Sequence, residues 1–118
     1  MALQYAAATQ AQLHGLAPAE AILTVAPREG ERLLRTEDIV AAIETAGEEL
    51  ALVLFSGVHY GTGQLVSGAP RSNRALSAFF NPLVQFDLGA IASAATRVGA
   101  RCGLDLAHAV GNVRSEVF

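Results

Sequence analysis

The sequence contains no lysine, because all eight of its basic residues are arginines. A lysine ε-amine is the side chain that forms a Schiff base with a carbonyl group, so no side chain here can play that role. Aromatic residues are also scarce, at 6% of the chain, and tryptophan is absent. A net charge of −3 provides no basic surface for nucleic acid.

Cysteine occurs once, as Cys102. A single cysteine cannot form an internal disulfide, which fits a reducing compartment. No apolar run approaches the ~20 residues that span a membrane, and the N-terminus lacks the basic patch and apolar block of a signal peptide. We therefore expect a cytoplasmic protein without a membrane partner. Because Cys102 lies inside a predicted strand, we expect its thiol to be buried and inert.

Hydrophobic residues make up 52% of the chain and charged residues 16%, which is enough apolar material for a core. Their spacing predicts alternating helices and strands. The predicted helices are 3–14, 36–46 and 87–98, and the predicted strands are 22–26, 50–55 and 101–106. This alternation predicts an α/β fold, with a mostly parallel sheet and flanking helices. Thr36 and Asp87 are the predicted N-caps of the second and third helices.

The strand at 50–55 is apolar at every position, as is typical of a strand buried on both faces of a parallel sheet. Ligands of such sheets collect at the carboxyl ends of the strands. Ser56 and Asp105 each follow or end a predicted strand, and the loops beyond them contain His59 and His108. We expect these residues to lie at one edge of the sheet.

The strongest local feature is residues 103–112, with the sequence GLDLAHAVGN. An acid at the end of an apolar strand is costly to bury without a partner. A pyridine-type cofactor supplies one, because a facing carboxylate keeps the ring nitrogen protonated and the ring a better electron sink. His108 is placed to reach a neighbouring polar group of such a ligand. The alternative is that Asp105 caps a helix beginning at Leu106, with His108 in its first turn.

A glycine-rich loop, residues 56–64, follows the strand at 50–55. Its glycines permit a tight turn beside a ligand, although an ordinary connection is the alternative. The loop is not a phosphate-binding P-loop, which needs a lysine after its last glycine. The three histidines lack metal-ligand spacing, so we expect no metal site.

Residues 65–85 interrupt the pattern, since they contain Arg71 and Arg74 but no acid, and are rich in Ser, Asn, Pro, Gly and Ala. A connection of this length without clear elements is unusual in a compact domain. The segment is therefore predicted to be an insertion loop or a stretch foreign to the fold.

Motifs along the chain resemble those of eukaryotic kynureninase and occur in the same order. The matching segments are QLHGL at 12–16, PREGE at 27–31, LRTEDI at 34–39, LFSGVH at 54–59, TGQ at 62–64 and DLAHAVGNV at 105–113. The resemblance covers residues 5–64 and 86–113, and the DLAHAVGN tract is specific for this family.

The resemblance implies that residues 1–118 are part of the large domain of a pyridoxal 5'-phosphate enzyme. That domain is a three-layer α/β fold of the aspartate-aminotransferase-like type, fold type I. The family hydrolyses L-kynurenine to anthranilate and L-alanine, and 3-hydroxykynurenine to 3-hydroxyanthranilate and alanine, in tryptophan catabolism and NAD biosynthesis. It works as a homodimer. The resemblance further implies that Asp105 pairs with the pyridinium nitrogen, that His108 contacts the cofactor near its phenolic oxygen, and that Ser56 is a further cofactor-binding position.

The chain departs from the family pattern at two places. Residues 65–85 stand between Gln64 and Phe86, which almost adjoin in the family. After Val113 the family continues to a Tyr-Lys pair whose lysine holds the cofactor, whereas residues 114–118 follow here as an atypical tail. We expect both segments to be translated intron, in a gene product that is either alternatively spliced or wrongly assigned from the gene.

Three functions remain open on the sequence. The first is a kynureninase acting on a small-molecule substrate. The second is a catalytically inactive fragment or isoform without the cofactor lysine, and the absence of lysine favours it for this chain alone. The third is an α/β binding module unrelated to the cofactor.

Overall fold

The computed structural model describes residues 2–67 and 85–113, and within them the chain is an α/β structure. Its elements follow in chain order. They are α1 (Ala2–Leu13), α2 (Pro18–Ala21), α3 (Thr36–Ala46), a 3₁₀ turn (Gly47–Glu49), β1 (Leu52–Ser56), β2 (Leu65–Ser67), β3 (Gln85–Asp87), α4 (Leu88–Arg97) and β4 (Arg101–Asp105). The predicted helices and the strands at 50–55 and 101–106 are confirmed, with shifts of one or two residues at most of their ends.

The described strands form two parallel pairs, as the alternation predicted. β1 pairs with β4 in a register that runs from Leu52 beside Arg101 to Ser56 beside Asp105. β2 pairs with β3, and Leu65 also bridges to Val58 in antiparallel fashion. The loop after β1 therefore runs directly into the second pair of strands.

The core lies between the helices α3 and α4 and the two pairs of strands. Ile43 of α3 and Ile91 of α4 meet Val66 and Phe86 there, and all four side chains are buried. The apolar stripe on α4 follows the three- and four-residue spacing of an amphipathic helix. Alternate residues of the β1–β4 pair pack against this cluster, so one face of that pair is covered.

The other face of the β1–β4 pair is open, which corrects the prediction of a strand buried on both faces. Leu52 is 50% exposed and Leu54 is 41% exposed. Val53 and Phe55, which alternate with them, pack on the core instead. Because successive side chains of a strand point to opposite faces, a uniformly apolar strand does not reveal which faces have a covering layer.

The predicted strand at 22–26 is wrong. Ile22 is extended, but its N–H donates to the carbonyl of Pro18 and closes the short helix α2. Leu23, next along, is 63% exposed. The β-branched residues favour extended backbone, yet no other described segment pairs with them, and a strand exists only through such a ladder.

The structure confirms the predicted N-cap of α4 and corrects the predicted N-cap of α3. Asp87 is the N-cap of α4, since its Oδ1 accepts a hydrogen bond from the Ala90 N–H at 2.9 Å. Thr36 is the first residue of α3 rather than its cap, which is Arg35. The Thr36 side chain is buried, and its hydroxyl accepts a hydrogen bond from the Asp87 N–H at 3.2 Å. Thr36 therefore links the starts of the two core helices.

Two of the sequence motifs have a structural role at the entry to α3. The Arg28 guanidinium donates two hydrogen bonds to the Asp38 carboxylate, at 2.9 and 2.6 Å. These bonds hold the pKa of Asp38 below its usual range. Arg35 forms an ion pair with Glu31, which lies four residues earlier in the sequence. The PREGE and LRTEDI tracts thus fix the approach of the chain to α3.

The predicted insertion, residues 65–85, has strands at both of its ends. Leu65–Ser67 form β2 and Gln85 begins β3. Residues 68–84 and the predicted tail 114–118 lie outside the described residues. In the part of the chain that is described, no helix combines the length and the apolar character that crossing a membrane requires.

Candidate functional site

Ser56 and Asp105 lie side by side at the carboxyl ends of two adjacent parallel strands. They are register partners, and the ladder continues one step further because the Gly57 N–H donates to the Asp105 carbonyl at 2.8 Å. Both side chains are half-buried. The expectation that they share one edge of the sheet is confirmed, and this edge is where parallel sheets bind ligands.

The core determines which face of the sheet these two residues present. Phe55 and Leu104 immediately precede them and pack on the hydrophobic core. Since side chains alternate along a strand, Ser56 and Asp105 belong to the opposite face, the one that carries the half-exposed Leu54. The hydroxyl and the carboxylate therefore lie on the side of the sheet that the described helices do not cover.

Asp105 uses one of its carboxylate oxygens within the protein. Oδ1 accepts a hydrogen bond from the Ala107 N–H at 2.9 Å. Within residues 2–67 and 85–113, Oδ2 accepts none. The alternative of a helix cap is met only in part, because residues 107–112 form successive turns rather than a helix. A half-buried carboxylate with one oxygen free is suited to a cationic N–H of a ligand.

His108 lies in the turn that follows Asp105, and its side chain is exposed. The turn is closed by the N–H groups of Ala109 and Val110, which donate to the Leu106 carbonyl at 2.9 and 3.0 Å. The backbone carbonyl of His108 accepts from the Asn112 side chain at 3.2 Å. The structure thus brings His108 to the same edge as Asp105, as the sequence predicted.

The glycine-rich loop, residues 56–64, forms the tight turn that its composition predicted. The His59 N–H donates to the Gln64 carbonyl at 2.8 Å, and the Gly63 N–H donates to the His59 carbonyl at 2.7 Å. Gly63 has a φ of 69°, a left-handed conformation that favours glycine. The Thr62 N–H donates to His59 Nδ1 at 3.2 Å and completes the turn.

Tyr60 connects this loop to the His108 turn, a contact that the sequence analysis missed. The Tyr60 ring stacks on His59 with centroids 5.4 Å apart and an interplanar angle of 27°. Its centroid lies 5.9 Å from that of His108, at an angle of 38°. The only sequence signal was an aromatic residue next to His59 in a glycine-rich loop, and nothing in the sequence indicated its distance from His108.

Gln64 is the second residue whose role the sequence did not reveal. Its side chain is buried, and its amide spans the backbone of Leu34. Oε1 accepts from the Leu34 N–H at 3.1 Å, and Nε2 donates to the Leu34 carbonyl at 2.9 Å. Gln64 thus anchors the loop that carries His59 and Tyr60 to the segment preceding α3.

Cys102 lies on β4 and is exposed, which corrects the expectation of a buried thiol. Partial desolvation nevertheless raises the pKa of this thiol above its usual value. The thiolate is the nucleophilic form, so the raised pKa disfavours reactivity near neutral pH. The described residues include no group of three acidic, histidine or cysteine side chains arranged to hold a metal ion.

An open groove of about 370 Å³ lies elsewhere, between one side of α3 and the start of α4. Its lining includes the carboxylates of Glu37, Glu44 and Asp87, and none of the three candidate site residues. Three acids and no basic residue in the lining disfavour an anionic ligand such as a phosphate ester. The edge with Ser56 and Asp105 is therefore the better candidate site.

Comparison with known proteins places these residues in context. No family model matches the sequence. The chain is 47% identical over 110 residues to a kynureninase of Nematostella vectensis, covering 93% of this chain and 19% of that protein. It is 49% identical over 109 residues to a kynureninase of Eremothecium gossypii, covering 92% of this chain and 20% of that protein. It is 43% identical over 109 residues to the kynureninase of Homo sapiens, covering 92% of this chain and 19% of that protein. The chain spans about a fifth of the length of the curated relatives that it matches.

Proposed function

Because the chain is homologous to a segment of the kynureninases, we propose that it forms the part of a kynureninase-type enzyme that binds the ring of pyridoxal phosphate. The parent activity is hydrolysis of L-kynurenine, and of 3-hydroxykynurenine, to an anthranilate and L-alanine. The fold of the whole large domain is of fold type I, and the enzyme is a cytoplasmic homodimer. Identities of 40 to 49% to curated kynureninases support this proposal.

One observation carries the assignment of the site. Ser56 and Asp105 are register partners at the carboxyl ends of adjacent parallel strands, and His108 lies in the turn just beyond. The carboxylate has an oxygen free for a protonated ring nitrogen, while its other oxygen is held by the Ala107 N–H. The residues present therefore fit a pyridinium ring whose polar groups are distributed along this edge.

Each of the three residues has a distinct task in this proposal. Asp105 accepts a hydrogen bond from the ring nitrogen and keeps its proton in place. His108 contacts the phenolic oxygen, and Ser56 offers its hydroxyl as a further contact. The bound cofactor supplies an electron sink for negative charge at the substrate Cα, and a protonated ring nitrogen strengthens it.

The amine that holds the cofactor covalently is not among these 118 residues, since no lysine occurs in them. We therefore propose that the chain by itself binds the ring without forming a covalent link through a side chain. We also propose that it does not hydrolyse kynurenine unless another polypeptide segment supplies the lysine.

The site is tested with pyridoxine phosphate, which has no aldehyde and so reports binding in the absence of an amine. We expect the Asp105→Asn chain to bind it roughly ten- to a hundredfold more weakly, because a hydrogen bond to a charged group is lost. Asparagine retains the oxygen that caps the turn, so the fold is expected to persist. Isothermal titration calorimetry of both chains measures the difference.

The matched control is Asp87→Asn, which keeps the N-cap of α4 and lies outside the site. It is expected to bind like the unchanged chain. Equal affinities for the unchanged and Asp105→Asn chains would rule out the assignment of Asp105. Absence of binding to the unchanged chain would rule out the proposed ring site.

We further propose that residues 65–85 are an insertion relative to the family and that 114–118 are an atypical tail, both from retained intron sequence. The support is the close match on either side of the insertion, at Gln64 and Phe86. Sequencing of the transcript is expected to show the extra codons in some messages and their exact removal at splice junctions in others. Their presence in every message would contradict an intron origin.

A further inference from the structure

The His108 imidazole has little within the protein to orient it. Its side chain is exposed, and in the described ranges neither ring nitrogen makes a hydrogen bond. Its recorded ring contact is with Tyr60, at a centroid distance of 5.9 Å. A side chain that must meet one atom of a ligand needs a supporting contact, and among the described residues this aromatic pair supplies one.

Tyr60 is itself held by the loop that carries it. The loop is closed by the hydrogen bonds of His59 with Gln64 and Gly63, at 2.8 and 2.7 Å. The buried Gln64 side chain in turn binds both backbone groups of Leu34. The backbone on either side of Tyr60 is therefore anchored to the body of the protein, although the Tyr60 side chain is exposed.

His59 makes a second ring contact with Tyr60. Its Nδ1 accepts the Thr62 N–H, so the neutral imidazole carries its proton on Nε2. This hydrogen bond fixes the plane of the His59 ring, and Tyr60 stacks on it with an interplanar angle of 27°. Ring contacts thus link His59 of the anchored loop to Tyr60, and Tyr60 to His108 in the turn beyond Asp105.

We propose that Tyr60 is a positioning residue, which holds the His108 imidazole at the rim of the ring site through aromatic contact. This inference rests on the proposed function for the ligand that His108 meets, but not for the contact itself. The ring of Tyr60, rather than its hydroxyl, is the part that acts. Phenylalanine at this position therefore keeps the role, and an aliphatic residue loses it.

The first experiment is proton–nitrogen NMR of the imidazoles in the full chain without ligand. The chain has three histidines, and each is assigned by its own substitution with glutamine. Tyr60→Leu is expected to move the His108 resonances toward those of the exposed His14, whereas Tyr60→Phe leaves them nearly unchanged. Tyr5→Leu is the matched control, because Tyr5 and Tyr60 are exposed to similar extents, 67% and 61%.

The second experiment titrates the same variants with pyridoxine phosphate. Tyr60→Leu is expected to weaken binding roughly two- to tenfold, the effect of one aromatic pair, and Tyr60→Phe is expected to restore it. Unchanged His108 resonances in Tyr60→Leu, or equal affinities of the leucine and phenylalanine variants, would overturn the proposal. If the unchanged chain does not bind the probe, the proposed function fails, while the NMR arm still decides whether Tyr60 orients His108.

Discussion

Replacing Gln64 with alanine is expected to be among the most destabilising single changes in this chain. The substitution removes both hydrogen bonds to Leu34, at 3.1 and 2.9 Å, and leaves a backbone N–H and a carbonyl without their partner. Each such group costs about 1–3 kcal/mol when it is shielded from water. Urea denaturation followed by circular dichroism measures the resulting loss in the free energy of unfolding.

Two further variants make this prediction specific to the amide. Gln64→Glu keeps an acceptor for the Leu34 N–H but faces the Leu34 carbonyl with an oxygen, so it is also expected to destabilise the fold. Gln10→Ala is the control, because Gln10 is exposed on α1. That change is expected to stay within about 0.5 kcal/mol of the unchanged chain. Equal unfolding midpoints for Gln64→Ala and Gln10→Ala would contradict the bridging role.

Replacing Ile91 with alanine is expected to lower the free energy of unfolding by about 2–5 kcal/mol. Ile91 has no exposed surface and lies in the cluster that joins α3, α4, β2 and β3. Its truncation leaves a cavity in a cluster to which α3, β2, β3 and α4 all contribute side chains, so the shift of one element alone is not expected to fill it. Ile91→Val is expected to cost about 0.5–1.5 kcal/mol, which distinguishes cavity formation from a general loss of helix.

The control for the core prediction is Leu23→Ala. Leu23 is of similar size but 63% exposed, so its truncation is expected to change stability by no more than about 0.5 kcal/mol. Urea denaturation compares the three variants Ile91→Ala, Ile91→Val and Leu23→Ala with the unchanged chain. An equal loss in the free energy of unfolding for Leu23→Ala and Ile91→Ala would contradict the position of Ile91 in the buried core.

The stability of the core and the geometry of the candidate site are linked through the strands. Phe55 and Leu104 pack on the core one residue before Ser56 and Asp105. Because the register aligns these pairs, the core places the hydroxyl and the carboxylate side by side. Loosening at Ile91 is therefore expected to disturb the site without any change to its own residues.

The sequence by itself determined the elements whose signals are local. The stripe on α4, the cap at Asp87 and the apolar run of β1 each depend on neighbours within a few positions. The composition also decided, without any structure, that no side chain here can supply a lysine amine. Parallel pairing then placed Ser56 and Asp105 at one edge, since strands joined by helices end on the same side of a sheet.

Only the tertiary structure decided the features that depend on contacts between distant segments. The run at 22–26 has strand-like residues but no ladder partner among the described segments. The face of β1 with Leu54 is likewise not covered by any described helix, and Leu54 is 41% exposed. The bridge from Gln64 to Leu34 joins residues 30 positions apart, and the contact of Tyr60 with His108 joins two separate loops. Local patterns specify the backbone that each residue prefers, whereas burial and pairing depend on which other segment arrives beside it.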